Sequence, residues 1–325
     1  MTKQDQSPRD SVSPVLITGS SGFIGGKLVR NIAERRVPVV AMYYHRLPDA
    51  VPNVFPICSD MSSPELLATP LRGVETVYHL AWDSSSANGS ERDVTWEVDS
   101  NKLPKNVQVA RNLFAAMERA GTKRLILVSS IGAKRTASER FLREKYLTEF
   151  YALNSKIPER IIVRPSVVFG RDGQNDPFVR SIVRVMRFPI IYPVPCSKGL
   201  LAPIDVDDLV KVLATLHTAE LKQPCAMLEV TGAEAYKVSD VFKLVSARYA
   251  KGARIPLPGA LGNSLLSFFE RDSRKGAVAS PKLRDYLVLA SKGDREINSN
   301  NPIVGVLPKQ MHSFREVVGN GAARD

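Results

Sequence analysis

Residues 15–25 read Val15-Leu16-Ile17-Thr18-Gly19-Ser20-Ser21-Gly22-Phe23-Ile24-Gly25. A short β-rich run ends at Gly19, and from Phe23 to Arg36 apolar side chains return at helical spacing: Ile24, Leu28, Ile32. Between strand and helix lie three glycines where a side chain would block a tight turn, the approach of a pyrophosphate, or the contact of helix with strand. The start of such a helix offers unpaired amides and a partial positive charge to phosphates. The stretch therefore predicts a dinucleotide loop in which Gly19, Ser21, Gly22, Phe23, Ile24 and Gly25 meet the ligand. A purely structural turn is the alternative.

Outward from this loop, apolar strands alternate with amphipathic helices. Strands are expected at Val37–Met42, Val54–Ile57, Thr76–Leu80, Arg124–Val128 and Arg160–Arg164, and helices at about Val107–Ala120 and Phe141–Leu153. Continuous apolar strands separated by helices imply a parallel sheet covered on both faces, joined by right-handed crossovers. The expected fold is α/β, a doubly wound parallel Rossmann sheet over 14–170, with a smaller C-terminal lobe over 171–325 for a substrate or a partner. Residues 1–13 read as a disordered tail. Beyond Gly170 prolines crowd in (Pro177, Pro189, Pro193, Pro195, Pro203) and the pattern loosens. Helices return at Val206–Leu216 and Val238–Tyr249, with a strand at Leu228–Gly232, so the chain is expected to cross back to the first domain near 203–232.

Composition bounds the function classes. The 325 residues are 44% apolar and 24% charged, an ordinary globular balance, with no apolar run of about 18 residues to span a membrane. Residues Met1 to Ser13 lack the apolar region of a secretory signal and carry Asp5 and Asp10, which argues against a transit peptide. A cytoplasmic location is expected, with peripheral attachment to a membrane surface as the variant. Three scattered cysteines (Cys58, Cys196, Cys225) and four distant histidines (His45, His79, His217, His312) show neither a disulfide framework nor metal-ligand spacing, so no metal is expected. Forty-five basic against 33 acidic residues give a net charge of +12, which favours anionic partners: phosphorylated cofactors, acidic surfaces or lipid headgroups. The basic residues are dispersed without an aromatic-rich patch, so nucleic acid is not expected as a partner.

About twenty residues after Gly25, the second strand ends in Tyr43-Tyr44-His45-Arg46. A site specific for NAD places an acid here to hold the ribose hydroxyls. This chain has none; His45 and Arg46 suit a 2′-phosphate instead, favouring NADP(H) over NAD(H). Arg46 as a solvated loop residue is the plain alternative.

Several further stretches together resemble an extended short-chain dehydrogenase/reductase of the epimerase/dehydratase branch. Thr18 to Gly25 matches that family's TGxxGxxG, and Asp60-Met61 its acidic pair, which implies an adenine contact. His79-Leu80-Ala81-Trp82 resembles its HLAA, implying that Leu80, Ala81 and Trp82 border the cofactor. Asn106 and Asn112 in NVQVARNL resemble its NVxGTxNL helix, and Ser129-Ser130 ends the fifth strand as its catalytic serine does. Arg164 to Gly170 resembles RPxxVYG, implying cofactor contacts at Pro165 and Val168, and Ile204 to Asp208 is similar to its HVDDV.

One departure weighs against these agreements. The family's chemistry uses a tyrosine and a lysine four residues apart on one helix face, the lysine lowering the tyrosine's pKa. Here Phe141-Leu142-Arg143-Glu144-Lys145 stands in that place, and none of the nine tyrosines has a lysine four residues later. Lys145 is then either a cofactor-ribose ligand or one half of a surface i,i+4 pair with Glu149. Ser130 is either catalytic or a hydroxyl lining the nicotinamide pocket. The short link from Ser129 to Phe141 resembles the atypical branch that includes the nucleotide-binding accessory subunit of respiratory complex I, as do Pro281–Asp294 and Val306–Glu316 more loosely.

The apolar stretch Leu257–Phe269, followed by Arg271, Arg274 and Lys275, reads as core, as a substrate-pocket wall, or as a face for a membrane or partner. Two functions are thus expected to compete. One is an NADP(H)-binding protein without tyrosine-dependent catalysis, with a structural, sensing or assembly role. The other is an active oxidoreductase, epimerase or dehydratase with Ser130, a water or a small-molecule substrate as proton source.

Overall fold

The structure is a computed structural model describing residues 13–83, 103–171, 176–186, 191–196, 199–250, 253–258, 308 and 310–319. The tail 1–12, the stretch 259–269 with Arg271, Arg274 and Lys275, residues 281–294, and residues 306, 307 and 309 of the stretch 306–316 lie outside the described residues.

Seven parallel strands form one sheet: β1 (Val15–Thr18), β2 (Val39–Tyr43), β3 (Val54–Cys58), β4 (Thr76–His79), β5 (Arg124–Val128), β6 (Glu159–Pro165) and β11 (Cys225–Val230). Their order is β11-β6-β5-β4-β1-β2-β3. Strand order reverses between β1 and β4, so the chain winds outward from that pair in both directions. Crossovers from the two halves diverge there and leave a crevice at the carboxyl ends of the strands.

Two-faced burial follows from the period-two alternation of strands that have no polar side. Val15 and Ile17 of β1, Ile126 and Val128 of β5, and Ile161 and Val163 of β6 face one core, with α1 (Phe23–Glu34) and α5 (Val206–Thr215). Leu16, Leu125, Leu127 and Ile162 face the other, against α2 (Lys105–Ala120) and α3 (Arg140–Leu153). α2 ends at Gly121, whose φ of 71° provides the left-handed turn into β5. The outermost strand β3 exposes Phe55 and Pro56; Pro56, with no amide hydrogen, blunts that edge against further pairing.

A second core joins α4 (Pro177–Met186), α6 (Val238–Tyr249) and α7 (Phe314–Gly319) through Phe178, Ile182, Val241, Phe242 and Phe314. Beside them β8 (Ile191–Cys196) pairs in parallel with β13 (Ala253–Pro258). Neither strand stands out in the sequence, because each carries prolines that interrupt a strand pattern; a two-stranded ribbon tolerates them where a central strand does not. The short pairs β7 (Val168–Phe169) with β10 (Ile204–Asp205), and β9 (Leu200–Leu201) with β12 (Tyr236–Lys237), complete the fold. Between β10 and β12 the chain returns through α5 to the main sheet, where Cys225–Val230 lies alongside β6. Among the described residues no helix is long and apolar enough to cross a membrane.

Candidate functional site

The glycine loop lies at the reversal of strand order. Gly19 has φ 68°, a left-handed conformation, and a Cβ there would lie 2.8 Å from the Ala81 amide nitrogen. The loop therefore runs directly against the turn that follows β4. A Cβ on Gly25 would collide with the Gly19 carbonyl oxygen, so only glycine lets α1 start this close to the turn. Ser20 Oγ donates to Met42 O at 2.9 Å and Gly22 N to Gly19 O at 2.9 Å, tying the loop to β2 and to itself. Gly22 is the N-cap of α1; no side chain caps it and no acid stands in the first turn. Ser21, Phe23 and Ile24 are half-buried and Gly22 is exposed. An uncapped helix start beside a loop kept clear of side chains at positions 19, 22 and 25 fits a pyrophosphate.

On the β2 side, His45 and Arg46 stand exposed in the loop after β2, with the His45 ring 4.0 Å from that of Tyr44. Asp60, just past β3, accepts from Ser62 N at 2.8 Å. That amide first, and the Ser62 hydroxyl second, hold the Asp60 carboxyl below its ordinary range. Asn112 on α2 donates to Met61 O at 3.2 Å and fixes this loop against the helix.

On the β4 side the contacts are denser. Thr18 Oγ1 accepts from the amides of Leu80 and Ala81, each at 3.2 Å, and lies 2.9 Å from His79 Nδ1. Burial first, and Lys145 second, push the His79 pKa down to about 3, so the ring is neutral. With its lone pairs taken by two amides, the Thr18 hydroxyl donates to Nδ1, which places the ring proton on Nε2. The turn is fixed at its far end too. Asn106 bonds both the amide and the carbonyl of Asp83, at 2.9 and 3.1 Å, and donates to Glu144 Oε2 at 3.0 Å. Arg140 Nε closes the chain on Glu144 Oε1 at 2.7 Å.

Between these anchors sits Trp82. The Lys145 ammonium, itself buried, lies 3.9 Å from the centre of its ring and donates to Val128 O at 3.0 Å. The Phe141 ring is 5.8 Å from the same nitrogen and meets Trp82 edge to face at 5.6 Å. A cation over an indole face in a partly desolvated site is worth about 1–2 kcal/mol. Burial lowers the Lys145 pKa to about 7, with Glu149 and Glu144 opposing the shift.

The surface pairing of Lys145 with Glu149 is overturned, because α3 turns both residues inward. Glu149 accepts from Ser129 Oγ at 2.5 Å and is held by the Arg164 guanidinium through two bonds of 2.8 and 2.6 Å. Ser130 is buried at the end of β5 with its hydroxyl on Ile131 O at 3.2 Å. Pro165 ends β6, where its carbonyl accepts from Ile131 N, and Val168 opens β7 opposite Ile204. Every expected site residue thus lies on the carboxyl side of the sheet. His45, Arg46, Asp60 and Met61 flank one side of the glycine loop, and Leu80, Ala81, Trp82, Ser130, Phe141 and Lys145 the other.

Two groupings have no signal in sequence spacing. The Glu149–Arg164 pair joins α3 to β6, and Asp205, Asp208 and His312 gather across more than a hundred residues. Asp205 caps α5 through Asp207 N at 2.8 Å. Buried Asp208 accepts from Lys211 at 2.9 Å and from the His312 amide at 2.6 Å, anchoring the segment that leads into α7.

The comparisons with known proteins agree with this geometry. A family model described as NAD(P)H-binding matches residues 19–166. Over those residues the chain is similar to NAD(P)H-binding proteins, and its parallel sheet with the glycine loop at the reversal of strand order is a Rossmann fold. The chain is similar to 3-beta-hydroxysteroid dehydrogenase of Mycolicibacterium neoaurum, 27% identical over 55% of this chain and 48% of that one. It is similar also to NADH dehydrogenase [ubiquinone] 1 alpha subcomplex subunit 9, mitochondrial, of Mus musculus, 29% identical over 51% of this chain and 44% of that one. The chain spans about half the length of these relatives. Among solved structures, the triphenylmethane reductase of Citrobacter sp. complexed with NADP(H) superposes with a TM-score of 0.67 at 15% identity, covering 94% of this chain and 99% of that one; it shares the fold.

Proposed function

We propose that the chain binds NADP(H) across the glycine loop and serves a structural, sensing or assembly role without tyrosine-dependent catalysis. The pyrophosphate sits on the start of α1, against Gly19, Ser21, Gly22, Phe23, Ile24 and Gly25. The adenylate half extends over β2 and β3, where Asp60 and Met61 meet adenine and His45 and Arg46 the 2′-phosphate. The nicotinamide half extends over β4, β5 and β6, towards Leu80, Ala81, Trp82, Ser130, Lys145, Pro165 and Val168. One observation carries the loss of catalysis: the side chain one helical turn before Lys145 is Phe141, packed on Trp82, and a phenyl ring has no proton to exchange. Similarity to a protein named as a subunit of NADH dehydrogenase supports an assembly role.

The test is titration of cofactor-stripped protein with NADPH, NADH, NADP and NAD, following the melting temperature. NADPH is expected to stabilise most, in proportion to RT ln(1 + [L]/Kd). No shift with any dinucleotide at millimolar concentration would sink the reading. A second reading, an oxidoreductase or epimerase acting on a small molecule, is favoured by Ser130 and Lys145 both standing at the end of β5. It requires turnover of NADPH or NADH with a carbonyl or nucleotide-sugar substrate, and a gain on Phe141→Tyr.

A further inference from the structure

We propose that Trp82 is the residue that sets what the site reads: it covers Lys145 and reserves binding for the adenylate half of the ligand, admitting the nicotinamide half only when the indole moves aside. This inference rests on the dinucleotide reading above and divides that site into two unequal parts.

The argument is geometric. Lys145 Nζ reaches Val128 O, so it stands at the carboxyl end of β5, two strands from β1 and therefore about 10 Å across the sheet from the glycine loop. A ligand whose pyrophosphate lies on α1 and whose second half runs over β4 and β5 must pass the turn after β4, which is where Trp82 projects. The ammonium has its donors directed at Val128 O and its open side against the indole at 3.9 Å, with Phe141 behind. A ribose hydroxyl can bond that ammonium only by displacing the ring.

The backbone that carries Trp82 resists displacement. Thr18 holds the amides of Leu80 and Ala81 on one side, and Asn106 holds both backbone groups of Asp83 on the other. Asn106 is itself fixed through Glu144 to Arg140, on the same helix as Lys145 and Phe141. Rotation of the indole about its own χ angles is then the available opening, and it forfeits the cation–π contact. On the β2 side nothing comparable among the described residues covers the loop: His45 and Arg46 are exposed, and Gly22 is open.

Calorimetry on the full chain decides it, with NADPH and 2′-phospho-ADP-ribose, and with NADH and ADP-ribose in parallel, on the parent, Trp82→Ala and Trp82→Leu. In the parent, the fragment is expected to bind within about threefold of its parent dinucleotide. In both variants the dinucleotide is expected to gain about tenfold over the fragment, since the ammonium becomes reachable. Melting temperatures near the parent's certify folding, and the ratio of the two ligands within one protein cancels any general loss of competent protein. A parent that binds the dinucleotide more than about tenfold tighter than the fragment, with a ratio unchanged in the variants, overturns the role of Trp82 while leaving the dinucleotide reading intact. Absence of binding by all four ligands overturns the dinucleotide reading itself.

Discussion

Gly25 and Lys145 are the residues whose surroundings leave least choice. The Cβ of Gly25→Ala would press on the Gly19 carbonyl, which is backbone and cannot rotate away. We expect a loss of about 1–3 kcal/mol in chemical denaturation together with loss of the NADPH-induced melting shift. An alanine variant that melts and binds like the parent would show that α1 does not approach the loop as described. Lys145 predicts a pH dependence. Burial brings its pKa in the folded chain to about 7, below the ordinary 10.5. Below about pH 7 both states carry the proton, and the buried charge opposes folding. Between that value and 10.5 the unfolded chain binds the extra proton, so stability rises with pH, by at most about 1.4 kcal/mol per unit. Urea unfolding at pH 7 and pH 9 should therefore show a rise in the parent that is absent in Lys145→Met; equal slopes would contradict the burial.

At the scale of elements, the turn after β4 is held between β1 and α2. Thr18→Val keeps the shape of the side chain but strips the Leu80 and Ala81 amides of their acceptor and His79 Nδ1 of its donor. A cost of about 1–3 kcal/mol is expected, with faster amide exchange at residues 80–83 than in β1 itself. Uniform exchange across β1, β4 and the turn would mean that Thr18 does not anchor it. α3 plays a different part, since it buries Glu144, Lys145 and Glu149 on a helix that reads as charged and amphipathic. Glu149→Gln takes the carboxylate from Ser129 and leaves the Arg164 guanidinium only its longer contact with Glu229 at 3.7 Å, and about 3 kcal/mol of stability should go with it.

For the whole molecule, Asp208 with His312 is one of the contacts that link distant parts of the chain. Burial raises the Asp208 pKa, but the His312 amide and the Lys211 ammonium outweigh it and hold the carboxyl below its ordinary 3.8. Its contribution is complete above that ordinary value and is lost as pH falls through the lower, folded one. Protection of the His312 amide, measured against its intrinsic exchange rate at each pH, should therefore fall under acid conditions in the parent, while Asp208→Asn should show little protection already at neutral pH. A high, pH-independent protection of the His312 amide would place the anchor elsewhere, for instance in the packing of Phe314 on Phe169.

Much of this was legible along the chain, because its signals are local. Alternation of apolar strands with helical periodicity dictates a parallel sheet covered on both faces, and three glycines in the loop and first helical turn after β1 dictate where a phosphate can approach. Sheet and loop follow from residues no more than a helical turn or a strand apart, whereas the residues expected along the crevice are what the family resemblance implies. What the chain order could not convey is direction and burial. Lys145 and Glu149 have the spacing of a surface pair, and only the packing of α3 against β5 and β6 turns both inward, one to Val128 O and Trp82, the other to Ser129 and Arg164. Trp82 reads as one letter in a cofactor motif until the fold sets it on an ammonium 63 positions later. Local periodicity determines which elements form; which side chains share a desolvated space depends on contacts between segments far apart in the chain, and that was decided by the tertiary structure alone.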